Sequence, residues 1–228
     1  MKRDWPGIER SLDAHGHAVL TGLLSRAECA GLKALYPRKE RFRSRVVMAR
    51  HNFGRGEYQY FDYPLPPLLD RLRHELYPHL ARIANHWNQR LGVDTRYPVE
   101  LDTFLARCHE AGQTRPTPLM LKYGAGDYNC LHQDIYGEQA FPLQVVMLLS
   151  EPEQDFRGGE FVMTETAGRD RRAEVVALGQ GDAAVFTVNQ RPIPGKRGGV
   201  RKAAMRHGVS SVLDGERYTA GLIFHDAS

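Results

Sequence analysis

His132-Gln133-Asp134 is the triplet in this sequence best suited to holding a metal ion. In a strand, residues two apart project to the same face, so an imidazole and a carboxylate at that spacing can share one ion. A third donor must come from elsewhere in the chain, and His207 is the candidate. Two imidazoles and one carboxylate leave about three coordination positions open on one side, which suits Fe(II) with a chelating cosubstrate and O2. A His-x-Asp triplet alone is a common accident. It gains weight here by closing one strand-like run while His207 opens another, far downstream.

Arg217 follows His207 by ten residues, across Leu213-Asp214-Gly215-Glu216. Asp-Gly is a hairpin signal, so the strand opened by Arg217 is expected to pair with that of His207. A three-residue loop, with Gly215 at positive φ, would put Arg217 on the same face as His207. A planar guanidinium there suits a carboxylate, which it binds bidentately.

The elements that must position these groups fall into two textures. Up to about residue 115 the chain reads mainly helical. Ile8 to Leu12 is a short amphipathic piece ended by Gly16, and His17 to Leu20 looks like a strand. Ser25 to Glu28 has the form of a capping box. Leu68, Leu69, Leu72, Leu76, Leu80, Ile83, Ala84 and Trp87 recur at spacings of three and four after Pro64-Leu65-Pro66-Pro67, the period of one helical face. Pro78 is expected to kink or divide that helix, and Gly92 to end it. From about residue 116, short apolar or alternating runs are bounded by Gly, Asp and Pro. They lie at 119–123, 128–132, 143–149, 160–164, 173–178, 183–188, 207–213 and 217–225. Eight short strands at this spacing predict a sandwich or barrel. The expected fold class is α+β with a β-dominated core, a double-stranded β-helix (jelly roll) with N-terminal helices packed on one sheet. Residues 1–228 are read as one domain, 1–115 mainly helical support and 116–228 the core carrying the metal site.

At 228 residues, 42% hydrophobic and 25% charged, the chain can bury a sizeable core. No window reaches the roughly 18 apolar residues of a membrane span, the N-terminus has no signal-like apolar run, and the three cysteines are odd in number and widely spaced. A cytoplasmic protein with no membrane partner is expected, and Cys130 is expected to be a buried small residue; the oligomeric state is left open. The net charge is +4, unevenly spread. Residues 183–213 carry no Asp or Glu but include Arg191, Lys196, Arg197, Arg201, Lys202 and Arg206. A second basic block runs from Arg38 to Arg55 with Glu40 alone opposing it. Two such blocks can form a phosphate-binding surface, or can be two solvated faces that never meet.

With these residues in view, the C-terminal half resembles the 2-oxoglutarate- and Fe(II)-dependent dioxygenase superfamily. Phe156-Arg157-Gly158-Gly159-Glu160-Phe161, the Gly179-Gln180-Gly181-Asp182 turn and the interval of ten from His207 to Arg217 are similar to its prolyl-hydroxylase-like branch. Tyr123, nine residues before His132, is similar to the AlkB-like branch. That branch's closing motif is only partly kept, with Thr219 where an Asn is usual and Ile223 where a second Arg is. As a whole the chain resembles a bacterial group of such oxygenases inferred to modify nucleic acid. The resemblance implies Fe(II) on His132, Asp134 and His207, with 2-oxoglutarate held by Arg217, Tyr123 and Thr219, and O2 as co-reactant. It also implies a DNA or RNA partner. Arg50, Arg55, Tyr58 and Tyr60, in a basic and aromatic stretch, and Lys196, Arg197 and Arg201, in a loop expected near the site mouth, are the substrate candidates. Three rivals stand beside this: a hydroxylase of protein side chains, a hydroxylase of a small metabolite, and a metal-binding jelly roll without turnover. His225 is expected to be structural.

Overall fold

The computed structural model describes residues 3–134, 137–195 and 198–228. The first part of the chain runs α1 (Trp5–His15), β1 (His17–Leu20), α2 (Arg26–Lys33), β2 (Phe42–Val47), β3 (Gly54–Arg55), β4 (Glu57–Phe61), α3 (Pro67–Leu91) and α4 (Leu101–Glu110). Strands alone follow: β5 (Leu119–Tyr123), β6 (Tyr128–His132), β7 (Leu143–Leu148), β8 (Phe156–Gly158), β9 (Phe161–Ala167) and β10 (Asp170–Val176). The last five are β11 (Ala183–Thr187), β12 (Gln190–Pro194), β13 (Val200–Val209), β14 (Val212–Gly215) and β15 (Arg217–Leu222).

Two antiparallel sheets face each other. The larger has the order β1-β11-β7-β15-β5-β4-β2, the smaller β10-β9-β13-β6-β3 with β12 also paired to β13. The jelly-roll expectation holds, with more strands than the eight read from the sequence. Helices still dominate residues 1–115, but that stretch also sends β1, β2 and β4 into the large sheet and β3 into the small one.

The helices cover the outer face of the large sheet. Leu12, Leu69, Leu72, Leu76, Leu80 and Trp87 join Met120, Val145, Met147, Val185, Ala220 and Leu222 in one buried cluster. Strand β7 is therefore buried on both sides: Leu143, Val145 and Met147 meet the helices, while Gln144, Val146 and Leu148 face the other sheet. Burial on both faces is why it reads as an apolar run instead of an alternation. Local signals set the helix ends as expected. Ser25 Oγ accepts from the Glu28 amide while Glu28 accepts from the Ser25 amide, and Gly16 and Gly92 close their helices at φ 77° and 65°. Helix α3 runs through Pro78 undivided.

One expectation fails in an instructive way. β13 and β15 do not form a hairpin. β14 leaves the small sheet to pair with β8, and β15 enters the large sheet between β7 and β5. Gly215 does sit at φ 79°, but the demand on it is different: a Cβ there would stand 2.1 Å from the Asp155 carbonyl oxygen. The Asp-Gly pair marks a crossover between sheets where two backbones nearly touch. His207 and Arg217 consequently look at each other across the sandwich.

Candidate active site

His132 and His207 are paired in register on β6 and β13, and the ladder is broken beside them. His207 faces His132 and Val209 faces Asn129, so Cys130 and Leu131 together oppose Gly208. This β-bulge turns both residues outward, and Cys130 is exposed, not buried as expected. It also keeps Asn129 and His132 facing inward, the re-aiming of side chains that bulges supply. Gly208 makes it possible, since a Cβ there would lie 2.7 Å from the Asn129 carbonyl oxygen. His132 Nδ1–H donates to the Cys130 carbonyl at 2.7 Å, which fixes the tautomer and leaves Nε2 free.

Asp134 lies just beyond β6, its two oxygens turned to the two rings. Oδ1 is 3.3 Å from His132 Nε2 and Oδ2 is 3.4 Å from His207 Nε2. One donor atom from each of the three residues lies within 4.8 Å of the others, a grouping that can hold a metal ion. Burial alone would raise the Asp134 carboxyl, yet the two imidazoles hold it well below the usual carboxylate range. For His207 burial wins and lowers the imidazole, while for His132 the Asp134 carboxylate overcomes burial and raises it. Gln133 ties the triplet down: its amide donates to the Asn189 and Met205 carbonyls, each at 2.8 Å. Nothing in the spacing pointed to Gln133. Gly208 had a signal, a glycine inside a strand beside a candidate ligand.

Arg217 opens β15 with only 2% of its surface exposed. Burial lowers its guanidinium to about 10, and its Nε has no hydrogen-bond partner among the described residues. Tyr123 and Phe156 present their rings at 5.8 Å, and Gly159 leaves the room its side chain occupies, since a Cβ there would stand 2.9 Å from Arg217 Cδ. The charge of Glu160 reaches it, but that residue is hydrogen-bonded to Ser210. Tyr123 pairs with Arg217 in register, and its hydroxyl is buried without a hydrogen bond, Asn129 beside it but out of bonding geometry. A cavity of about 130 Å³ is lined by His132, Asp134 and His207 together with Arg217 and Thr219. Phe161 and Phe186 wall it, Phe186 with its ring centroid 4.6 Å from that of His207. Gln144 adds a feature the sequence did not reveal: it lines the same cavity, nearly fully buried, with its amide nitrogen unpartnered.

The substrate candidates divide. Tyr58 and Tyr60 line the cavity, and Arg43 lays its guanidinium 4.5 Å from the Tyr60 ring centroid. Arg50 and Arg55 are exposed and do not line it. Lys196 and Arg197 lie outside the described residues. Of the 190–201 loop, Gln190 lines a pocket together with Asp134, but its described basic residues do not follow it there. β12 pairs with the first half of β13, and Arg201 stands six residues before His207, about 20 Å of strand. Arg191 from that block is buried, bonded to Glu165 at 2.6 Å and to the Asp13 and Ala14 carbonyls. His225 is structural as expected: its Nδ1 accepts from the Phe141 amide at 3.1 Å, and burial lowers it to about 4. No helix among the described residues is long and apolar enough to cross a membrane.

Residues 56–227 match the model of a family described as an oxygenase catalysing oxidative methylation of damaged DNA. Proteins of two Mycobacterium tuberculosis strains, both described as uncharacterized, are 50% identical over 169 residues, 74% of this chain and 72% of theirs. Among solved structures, a Pseudomonas putida prolyl-4-hydroxylase superposes with a TM-score of 0.56 at 16% identity, over 98% of this chain and 99% of its own. A Burkholderia pseudomallei oxidoreductase of the 2-oxoglutarate-Fe(II) oxygenase family gives 0.55 at 15%, over 100% and 94%. The α-ketoglutarate-dependent epimerase SnoN from nogalamycin biosynthesis gives 0.56 at 16%, over 96% and 81%. At these identities the structural likeness is one of fold.

Proposed function

Because the chain belongs to the 2-oxoglutarate- and Fe(II)-dependent oxygenases, in the family described as acting on damaged DNA, we propose that it hydroxylates or oxidatively demethylates a nucleic-acid base, with Fe(II) on His132, Asp134 and His207. The observation that carries the site is Arg217. A buried cation without a counter-ion is costly; among the described residues this one has none, it shares a cavity with the triad, and its register partner Tyr123 holds a buried hydroxyl without a hydrogen bond. An extended dicarboxylate satisfies both ends: its 2-oxo acid end at the triad, its far carboxylate on Arg217 and Tyr123, with Thr219 beside it.

When bound, Fe(II), 2-oxoglutarate and O2 supply oxidative decarboxylation to succinate and CO2, coupled to oxygen insertion into a substrate C–H bond. On an N-methyl group the resulting alcohol collapses to formaldehyde and the demethylated base. The chain's residues set the stage for that chemistry. The Cys130 carbonyl orients His132, and Gln133 anchors the segment that carries Asp134. The phenyl rings of Phe161 and Phe186 keep water from the His207 side.

Support for a nucleic-acid substrate comes from the family description and from Tyr58 and Tyr60 at the cavity wall, rings on which a base can stack. The Gly158-Gly159 pair does not favour a protein substrate, because Gly159 serves the Arg217 pocket. The test is 2-oxoglutarate turnover with single-stranded DNA oligonucleotides carrying one N-methylated base, compared with proline-rich peptides. Formaldehyde release with the oligonucleotides supports the proposal; stimulation by the peptides alone would replace it with side-chain hydroxylation.

A further inference from the structure

Outward-facing residues of the small sheet form a second surface, distinct from the metal cavity. Alternation along β9, β10 and β13 sends Glu165, Glu174 and Met205 inward, where Glu165 holds Arg191 and Arg172 and Glu174 lies by His15 and His17. The opposite face carries Val162, Thr164 and Thr166 on β9, Arg171, Ala173 and Val175 on β10, and Lys202, Ala204 and Arg206 on β13. Among these positions there are three cations and no carboxylate. Arg171, Lys202 and Arg206 are exposed, and among the described residues none has an ion-pair partner.

The register gives this face a shape. Arg206 lies across from Thr164, which faces Ala173; Ala204 lies across from Thr166, which faces Arg171. Four small residues thus make a floor between two arginines on opposite sides. The groove is about 630 Å³, lined by strand residues alone: Thr164, Thr166, Ala173, Ala204, Arg171 and Arg206, with Leu131 at the β6 end, and with Arg172 and a Glu165 carboxylate already engaged by Arg172 and Arg191.

We propose that this groove binds the sugar–phosphate backbone of a nucleic-acid strand, with Arg171 and Arg206 on phosphates, the Thr164 and Thr166 hydroxyls beneath them, and Lys202 farther along the same face. The proposal rests on the nucleic-acid reading above. A floor of small side chains lets a strand lie close, and exposed cations without counter-charges are what phosphate binding uses. The groove is the back of the wall that carries the metal site. Arg206 and Leu131 point outward where their neighbours His207 and His132 point inward. A strand held there gains affinity, and its contacts do not reach the reacting atoms.

Binding of a fluorescein-labelled single-stranded 20-mer DNA to the full-length chain, measured across a salt series, tests this. Each phosphate contact on a single strand contributes about 0.7 to the slope of log K against log salt. The R171A/R206A double variant is expected to lose about 1.4 of that slope and to bind more weakly at every salt concentration. Its oligonucleotide-free 2-oxoglutarate turnover should equal that of the unsubstituted protein. An unchanged slope, when the unsubstituted protein binds, overturns the groove and leaves the nucleic-acid reading standing. Failure of the unsubstituted protein to bind overturns both. Equal displacement of the DNA by a polyglutamate peptide would replace the strand by an acidic protein segment.

Discussion

Arg73 and Arg217 are both almost wholly buried, and they sit in opposite circumstances. Arg73 on α3 gives Nη2 to Asp226 at 2.9 Å, Nε to the Ile223 carbonyl at 3.0 Å and Nη1 to the Tyr63 hydroxyl at 3.2 Å. Asp226 is itself completed by Tyr63 and by His109, each at 2.9 Å. Arg217 has rings beside it and an Nε without a partner. Both residues lost their hydration, but only Arg73 recovered it from the chain. A buried arginine whose donors are used locks a fold; one whose donors are spare is shaped for an arriving anion. Depression of Arg217 from 12.5 to about 10 corresponds to roughly 3 kcal/mol of unfavourable burial. That cost is present wherever the residue is protonated in both the folded and unfolded states, and fades only between about pH 10 and 12.5.

The sharpest way to break this contrast is Arg73→Met, which strands a buried Asp226. It should lower unfolding stability by about 3–5 kcal/mol, read from denaturant midpoints, while the KM for 2-oxoglutarate in folded protein stays put. A loss under about 1 kcal/mol would erase the distinction. Arg217→Met should do the reverse: stability equal or higher, with KM for 2-oxoglutarate raised about 100-fold, roughly 2.7 kcal/mol. Gly208→Ala probes the bulge that sets His132. The added methyl has to displace the Asn129 carbonyl, and because that loosens the Cys130–His132 contact, Fe(II) affinity should fall about 10-fold. Equal Fe(II) titrations for the two proteins would show that the bulge does not matter to the metal. Tyr123→Phe removes one donor from the Arg217 end and should raise KM for 2-oxoglutarate by about 3- to 10-fold; an unchanged KM would take the hydroxyl out of the site.

Much of this was legible because it is local. The capping box at Ser25, the glycine that closes α3 and the strands 119–123 and 128–132 follow from residues within a few positions of one another. His132 and Asp134 were visible for the same reason, being two apart in the chain. What the sequence hid is relational. An Asp-Gly pair reads as a hairpin, and only the approach of Asp155 shows why Gly215 serves a crossover instead. Arg191 and Arg217 are alike as letters, yet one is enclosed by Glu165 and two carbonyls while the other keeps an Nε without a hydrogen bond among the described residues. Gln144 and Gln133 became visible only once β7 and β13 had brought other groups beside them or withheld them. The basic block at 183–213 is continuous in the sequence, but strand alternation divides it, Arg191 inward and Lys202 and Arg206 outward.

The central claim is that Arg217 is spare for the far carboxylate of 2-oxoglutarate. It is tested most directly by calorimetric binding to the Fe(II)-loaded protein without oxygen. Four affinities are needed: 2-oxoglutarate and 2-oxopentanoate, which lacks the far carboxylate, each against the unsubstituted protein and Arg217→Met. Removing the carboxylate or the guanidinium alone should weaken binding about 100-fold, and removing both should cost little more, the signature of two groups that act on each other. If the two losses simply add, or if the unsubstituted protein binds both acids equally, Arg217 does not hold that carboxylate.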